Sequence, residues 1–324
     1  MSANDLFFKL SNGALGELEE RRKAYTKTFW KRFFLWWGIT IPAVILLLVL
    51  AQDAPQLALI VGGVSLIGGS IWLGVIHSRF KKQFVRDFKS SVIPAVVKAV
   101  DDRLFYDANR GLMPEYHASA LYPKRIDRQR AEDTISGVFG ETHFSFGEIH
   151  TEYKTVTTDS KGRRQEHWHT IFQGLFFVGD FNKHFSGETI VDKDTMEKAL
   201  GKLGRKFQSW NTERKGELIR MDNPAFEKQF AIYSTDEQEC RYILSPSLME
   251  RILELNTRTG GAICLSFRNS NVYIAYTFKQ NLFEPRIFSQ SLKMEDVQLL
   301  MDLISLMSGI VEDLNLNTRI WTKA

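Results

Sequence analysis

The residues of this chain best suited to metal or nucleophilic chemistry are its seven histidines and two cysteines. His167 and His169 are separated by one residue, so on a strand both project from one face. His143 and His150 lie on the segment expected to pair with that strand. With a carboxylate such as Glu148 or Glu166 they offer a zinc-type donor set, provided three or four of them converge. Such a set would serve a membrane-tethered, metal-dependent hydrolase. The plainer reading is a solvated hairpin face, because Glu152, Lys154, Arg163 and Arg164 share the segment. An H-x-H pair without a second paired element specifies little. His143, His150, His167 and His169 therefore stand as metal candidates, and no catalytic or cofactor-binding residue is assigned.

Other chemistries find less support. The chain has no G-x-S-x-G, no G-x-x-x-x-G-K-[ST] and no H-E-x-x-H. Gly201-Lys202-Leu203-Gly204-Arg205 reads as a helix ending at glycine rather than as a phosphate cradle. Cys240 and Cys264 sit in apolar-rich surroundings and read as packed thiols of a reducing compartment. No cofactor and no enzymatic activity are expected.

Two elements dominate the N-terminal part. Residues 33–51 and 57–76 form runs of nineteen and twenty residues without a charge. Each is long enough to cross a hydrocarbon core of about 30 Å as a helix. Five residues, Gln52-Asp53-Ala54-Pro55-Gln56, join them, so the two must lie antiparallel. Six Lys/Arg lie between Arg21 and Arg32, five lie between Arg79 and Lys89, and the bend has none. The positive-inside rule then places both termini in the cytoplasm and makes this an inner-membrane protein with two spans. Trp30, Phe33, Phe34, Trp36, Trp37 and Trp72 gather at the same interface. A cleaved signal ending near Val49-Leu50-Ala51 is the rival, but the basic arm is long and a second span follows at once. Gly62, Ser65 and Gly69 put small residues on one helix face, as do Ser70 and Gly74. Such faces suit packing against the first span or a second copy. Neither span carries an internal ionisable group, which argues against a pump or transporter.

Charge is placed accordingly. The net +4 comes from the flanks of the apolar block, at +3 over residues 1–32 and +4 over 79–89. Residues 90–324 are net −2, so no basic footprint for nucleic acid is expected on the folded part. The basic flanks are instead suited to anionic lipid.

Beyond the spans, residues 12–32 read as a helix, acidic first and basic last. Phe80, Phe84, Phe88 and Val92 mark a helix leaving the second span, which Pro94 is expected to kink or interrupt. Residues 106–133 read as a polar connector with a short helix. Residues 143–156 and 166–179 read as a hairpin, and 185–191 as another strand. Asp192 or Asp194 is expected to cap a helix to about Phe207. Asn223-Pro224 and Ser245-Pro246 open helices, the second ending at Gly260-Gly261. Residues 262–267 and 272–278 straddle Arg268-Asn269-Ser270-Asn271 as a hairpin, and Val297 to Leu314 marks a long amphipathic helix. In the apolar run 172–178, Phe176 and Phe177 point to opposite faces, as in a central strand buried on both sides. Phe283-Glu284-Pro285-Arg286 reads as a packed loop, with docking as its alternative.

The motifs Phe139-Gly140, Glu148-Ile149-His150, Phe172-Gln173-Gly174-Leu175-Phe176, Asp180-Phe181-Asn182-Lys183, Asp222-Asn223-Pro224-Ala225-Phe226-Glu227, Tyr242-Ile243-Leu244-Ser245-Pro246 and Phe283-Glu284-Pro285 occur in this order. Over roughly residues 80–324 the chain resembles a bacterial membrane-protein family of unknown function. That resemblance implies two N-terminal membrane helices and a cytoplasmic domain, and some members lie near genes for LemA-type membrane proteins. It implies no activity and no site residue.

The expected architecture is α+β. A basic arm (1–32) precedes a transmembrane hairpin (33–77), a juxtamembrane helix and connector (78–133), and a cytoplasmic domain of antiparallel hairpins and amphipathic helices (134–324), with a split near 210–222 left open. The expected function is a membrane-anchored binding or scaffold module. Its partners would be the bilayer and either a second copy or another membrane protein. A metal-dependent hydrolase and an anionic-lipid sensor are the alternatives.

Overall fold

The computed structural model describes residues 1–50, 55–158, 162–181, 185–193, 216–278, 281–314 and 316. The helix expected from Asp192 or Asp194 to Phe207 and the Gly201–Arg205 cluster lie largely or wholly outside these residues, as does most of the bend after residue 50. The chain divides into two units: Met1–Ala99 with Leu282–Met301, and Val100–Asn281 with Asp302–Ala324.

The first unit is helical. A short helix α1 (Ala3–Ser11) is opened by a reciprocal capping box between Ser2 and Asp5. It is followed by two very long helices, α2 (Ala14–Leu50) and α3 (Pro55–Val100). Each contains an apolar stretch long enough to cross a bilayer. Pro42 and Pro94 lie inside these helices, and α3 runs through Pro94 to Val100, so of the kink or interruption expected there the interruption does not occur. A proline removes one helical hydrogen bond, and here the packing of its neighbours outweighs that loss. Phe84, Phe88, Val92, Ile93 and Val96 around it are fully buried.

The small-residue face of α3 packs on α2. A Cβ added at Gly69 would stand 1.9 Å from the Trp36 ring, and one at Gly62 2.7 Å from a Val44 methyl. Only glycine leaves room for these α2 side chains directly against the α3 backbone. Gly74 has nothing within 4 Å of such a Cβ.

The second unit is built on an antiparallel sheet of nine strands among the described residues: β1 (Phe105–Asp107), β2 (Arg128–Phe139), β3 (Thr142–Thr158), β4 (Arg164–Asp180), β5 (Thr189–Lys193), β6 (Glu217–Ile219), β7 (Phe230–Ser234), β8 (Ile263–Arg268) and β9 (Asn271–Thr277), in spatial order β1-β2-β3-β4-β9-β8-β5-β7-β6. Its helices are α4 (Met113–Ala118), α5 (Pro224–Glu227), α6 (Glu237–Ile243) and α7 (Pro246–Arg258). A final helix, α8 (Met294–Asp313), belongs to the first unit up to Met301 and to the second from Asp302. The fold class is α+β, as the sequence indicates.

Local signals explain most boundaries. The Asn223 side chain accepts from the Phe226 N–H to start α5, and Ser245 accepts from Leu248 N–H to start α7. Gly260 and Gly261, at φ 65° and 73°, end α7. Asn269 and Ser270 both take positive φ (50° and 56°), the backbone of a two-residue hairpin turn between β8 and β9. Strand β4 is central, between β3 and β9, and Phe176 and Phe177 are both fully buried on its two faces. Phe176 packs with Tyr116 of α4 (5.4 Å between centroids) and Tyr273 (6.2 Å), whereas Phe177 meets Phe144 (5.9 Å). Phe176 belongs to a cluster with Leu112, Tyr116, Leu121, Ile149, Phe172 and Ile190.

One difference from the sequence reading concerns residues 128–133. They look like polar connector, yet they open β2, where Arg128, Gln129 and Arg130 are exposed. A solvated strand hides its period, because the alternation that marks a strand needs one buried face.

Candidate functional site

Three places in the fold concentrate chemistry or exposed apolar surface. The first is the pair α2 and α3. Phe34, Ile39, Leu46, Leu50, Val64, Ile67 and Ile71 are exposed side chains, at 57–73%. A soluble core helix would bury such residues. At the outer ends of these apolar stretches lies an aromatic cluster. Tyr25 stacks on Phe80 at 3.7 Å and shares a hydrogen bond of 3.1 Å with His77 Nδ1. Trp30 contacts Phe33 and Phe34, and the Arg32 guanidinium lies 5.9 Å from the centre of the Trp72 ring. Lys27, Lys31, Arg32, Arg79, Lys81 and Lys82 are all exposed at this level.

The second place is a ribbon made by β3 and β4. The β2–β3 pairing stops at Glu152 and the β4–β9 pairing begins at Gly174. Beyond these points Tyr153–Thr158 and Arg164–His169 pair with each other. The ribbon carries His167 and His169 on one face, as the H-x-H spacing dictates. His169 Nε2 lies 2.8 Å from Thr155 Oγ1, and its ring stacks on Tyr153 at 4.9 Å. His167 Nε2 lies 3.1 Å from Thr157 Oγ1. On the other face Trp168 lies beneath the Arg128 guanidinium at 3.8 Å, and Lys154 pairs with Glu166 at 2.9 Å.

The four candidate histidines are spread along this hairpin. His150 stands opposite Gln173, about 10 Å along the strand from the His169 pair at 3.3 Å per residue. Its Nε2 lies 3.8 Å from Glu152 Oε1. His143 stands opposite Val138 at the far end of β3, roughly 23 Å from His150. Among the described residues no histidine joins two further His, Cys, Asp or Glu groups at metal-binding distance.

The third place is one that sequence reasoning missed as a cluster. Glu132, Asp133 and Glu148 bring carboxylate oxygens within 4.8 Å of one another. The β2–β3 register sets Glu132 directly opposite Glu148, and a bulge follows between Glu132 and Ile135. Asp133 sits in that bulge, fully buried, with φ at 58°. Like charges facing each other across strands repel. Arg130 offsets this at 2.5 Å from Glu132, and the Tyr106 hydroxyl donates to Asp133 at 2.5 Å. Burial and the neighbouring carboxylates, Asp133 foremost, push the Tyr106 phenol far above its ordinary range. Tyr106 is therefore locked as a donor. Of the three, the sequence reading singles out only Glu148, as a carboxylate for the histidine set; nothing in the sequence marks Asp133 as a bulge residue.

Cys240 carries no sign of activation. Burial pushes the Cys240 thiol up to about 11, and Cys264 Sγ donates to Asp192 Oδ1 at 3.1 Å. A reactive thiol needs the opposite shift.

Fold and site together define an α+β protein with two helices apolar enough to cross a membrane and an antiparallel sheet. Residues 170–316 match the model of a family described as a protein of unknown function (DUF3137). The match includes Phe172–Phe176, Asp180–Lys183, Asp222–Glu227, Tyr242–Pro246 and Phe283–Pro285 of the motifs above, but neither Phe139-Gly140 nor Glu148–His150. No curated protein and no solved structure matches the chain.

Proposed function

We propose that this protein is a membrane-anchored binding or scaffold module of a bacterial inner membrane. In this reading α2 and α3 cross the bilayer as an antiparallel hairpin. Both termini and the sheet-bearing unit lie in the cytoplasm. The observation that carries the proposal is the outward apolar surface of α2 and α3, with side chains such as Leu50 at 73% and Val64 at 67% exposed. Lipid is the solvent such a surface requires. The basic flanks supply the orientation through the positive-inside rule. The family resemblance supports the bacterial setting.

The sheet-bearing unit is read as the binding module, assembling with a second copy or another membrane protein. Its projecting β3–β4 ribbon offers exposed Trp168 and Val156 among charged and hydroxyl groups, the mixture found at protein interfaces. A catalytic reading has less to stand on: the histidines are dispersed and the Cys240 thiol is pushed up, away from reactivity. The test is in-membrane cross-linking of the full-length chain after alkaline extraction. Retention in the membrane pellet with a discrete adduct at the ribbon is expected. Release of the chain by alkali, or monomer alone under membrane-preserving conditions, contradicts the proposal.

A further inference from the structure

The loop that leads into α8 carries an aromatic residue whose exposure the fold does not explain. Leu282, Phe283, Ile287 and Leu292 are buried, yet Phe288 is 51% exposed. The loop is closed on itself: Arg286 N–H donates to the Ser291 carbonyl at 3.1 Å, and Arg286 Nε to the Gln290 carbonyl at 3.3 Å. It is also clasped by α2. Arg22 makes a two-pronged pair with Glu19 at 2.6 and 3.0 Å, and its Nη1 donates to the Ile287 carbonyl at 2.9 Å. Ser291 donates to Glu19 Oε2 from its hydroxyl at 2.8 Å and its N–H at 3.3 Å. Both sides of the loop tip are thus fixed to one turn of helix.

This clasp sets the height of Phe288. Its ring stacks on His77 at 5.0 Å and contacts Phe29 at 5.4 Å and Trp30 at 6.0 Å. Trp30 precedes the first charge-free run by three residues, and His77 follows the second directly. At 1.5 Å per residue, Trp30 lies about 5 Å and His77 about 2 Å outside the hydrocarbon boundary those runs define, and Phe288 sits against both. The interfacial layer on each side of a bilayer is roughly 5–7 Å deep. Aromatic rings partition there, and the exposed cations at the same level suit lipid phosphates.

We propose that the Phe288 loop is a third, non-spanning membrane contact, with Phe288 seated in the lipid interface beside Trp30. The proposal rests on the reading of α2 and α3 as spans. It adds that the chain returns to the bilayer far from its N-terminal anchor, through an amphipathic contact that the Glu19–Arg22 pair holds in register.

The test uses the full-length chain, with Cys240 and Cys264 replaced by alanine, in lipid nanodiscs. Nitroxide labels are placed singly at Ser289→Cys, Ile45→Cys and Glu254→Cys, and collisions with oxygen and with a water-soluble nickel chelate are compared. Ser289 keeps Phe288 intact beside it. The expected result is a Ser289 label of intermediate depth, shielded from the chelate relative to Glu254 and shallower than Ile45. Adding Phe288→Ser should remove that shielding, and Phe288→Trp should preserve it. A Ser289 label as water-exposed as Glu254, with Ile45 deep, overturns the proposal alone. An Ile45 label exposed to water overturns the reading of the spans.

Discussion

Replacing Arg22 by alanine should free the loop at 282–293 while leaving the sheet intact. The side chain is 10% exposed and its partner Glu19 19% exposed. Arg22→Ala removes two charge-assisted bonds to Glu19 and leaves the Ile287 carbonyl, a buried acceptor, without its donor. A hydrogen bond to a charged group contributes about 1.5–3 kcal/mol, and an orphaned buried carbonyl costs about 1–3 kcal/mol. Partial exposure of Glu19 lets water recover part of this, so about 2–3 kcal/mol is the expected loss in loop docking. At 1.36 kcal/mol per decade that raises the open population by about 30- to 150-fold. Hydrogen exchange by mass spectrometry in nanodiscs reads it directly. Peptides covering Arg286 and Ser291, whose amides are bonded, should exchange faster by that factor, and peptides from β4 should not change. Unaltered exchange over 283–291 would refute the clasp. Exchange that rises equally in β4 would show a global effect instead.

The remaining expectations concern single groups. The hydrogen bonds from Arg22 and Ser291 outweigh the burial that acts on Glu19 and hold its carboxyl below the ordinary range. Its contribution to docking is therefore complete above the free carboxyl value near pH 4.3 and is lost as pH falls through the lower bound-state value. Exchange of the loop should rise only as pH falls below the free carboxyl value, and Glu19→Gln should abolish that pH dependence. Gly69→Leu should overpack α3 against Trp36 and weaken the hairpin by about 1–3 kcal/mol, measured as a lower melting temperature in detergent. Asp133→Ala leaves the Tyr106 hydroxyl without this acceptor and puts at positive φ a residue that tolerates it less well than Asp or Asn, so about 1–3 kcal/mol should be lost, against less for Asp133→Asn. In native protein a maleimide should label Cys264 well before Cys240, whose thiol is pushed up to about 11 and is fully buried. Stoichiometric zinc that disappears in His169→Ala would revive the hydrolase reading. Its absence in both proteins is expected from the spread of the four histidines.

Where sequence spoke plainly, it did so through signals that act locally. The charge-free runs, the Asn223-Pro224 and Ser245-Pro246 caps, the glycines after α7 and the two-residue turn at Asn269 all specify structure within a few residues. Phe176 and Phe177 forecast a strand buried on both faces because adjacent strand residues must point opposite ways. Exposed polar strand ends escaped, as in Arg128–Arg130, since nothing buried marks their period. Phe80, Phe84 and Phe88 promised a continuing helix, and of the kink or interruption that Pro94 suggested, the interruption does not occur, since α3 runs on to Val100. The functional features that matter most are long-range pairings. Glu19 and Ser291 lie 272 residues apart, and Tyr106 and Asp133 meet through a bulge. No periodicity encodes such contacts. Gly62 and Gly69 were legible as a packing face, whereas their partners, Val44 and Trp36, emerged only from the structure.

The central claim is that α2 and α3 cross a bilayer and leave both chain ends on one side. Alkaline phosphatase inserted within the bend between residues 50 and 57, and separately at the carboxyl end, tests it in bacterial cells. The account predicts an active enzyme at the bend, which reaches the outside, and an inactive one at the carboxyl end. Activity at the carboxyl end, or inactivity at both positions with the chain recovered in the soluble fraction, would contradict it.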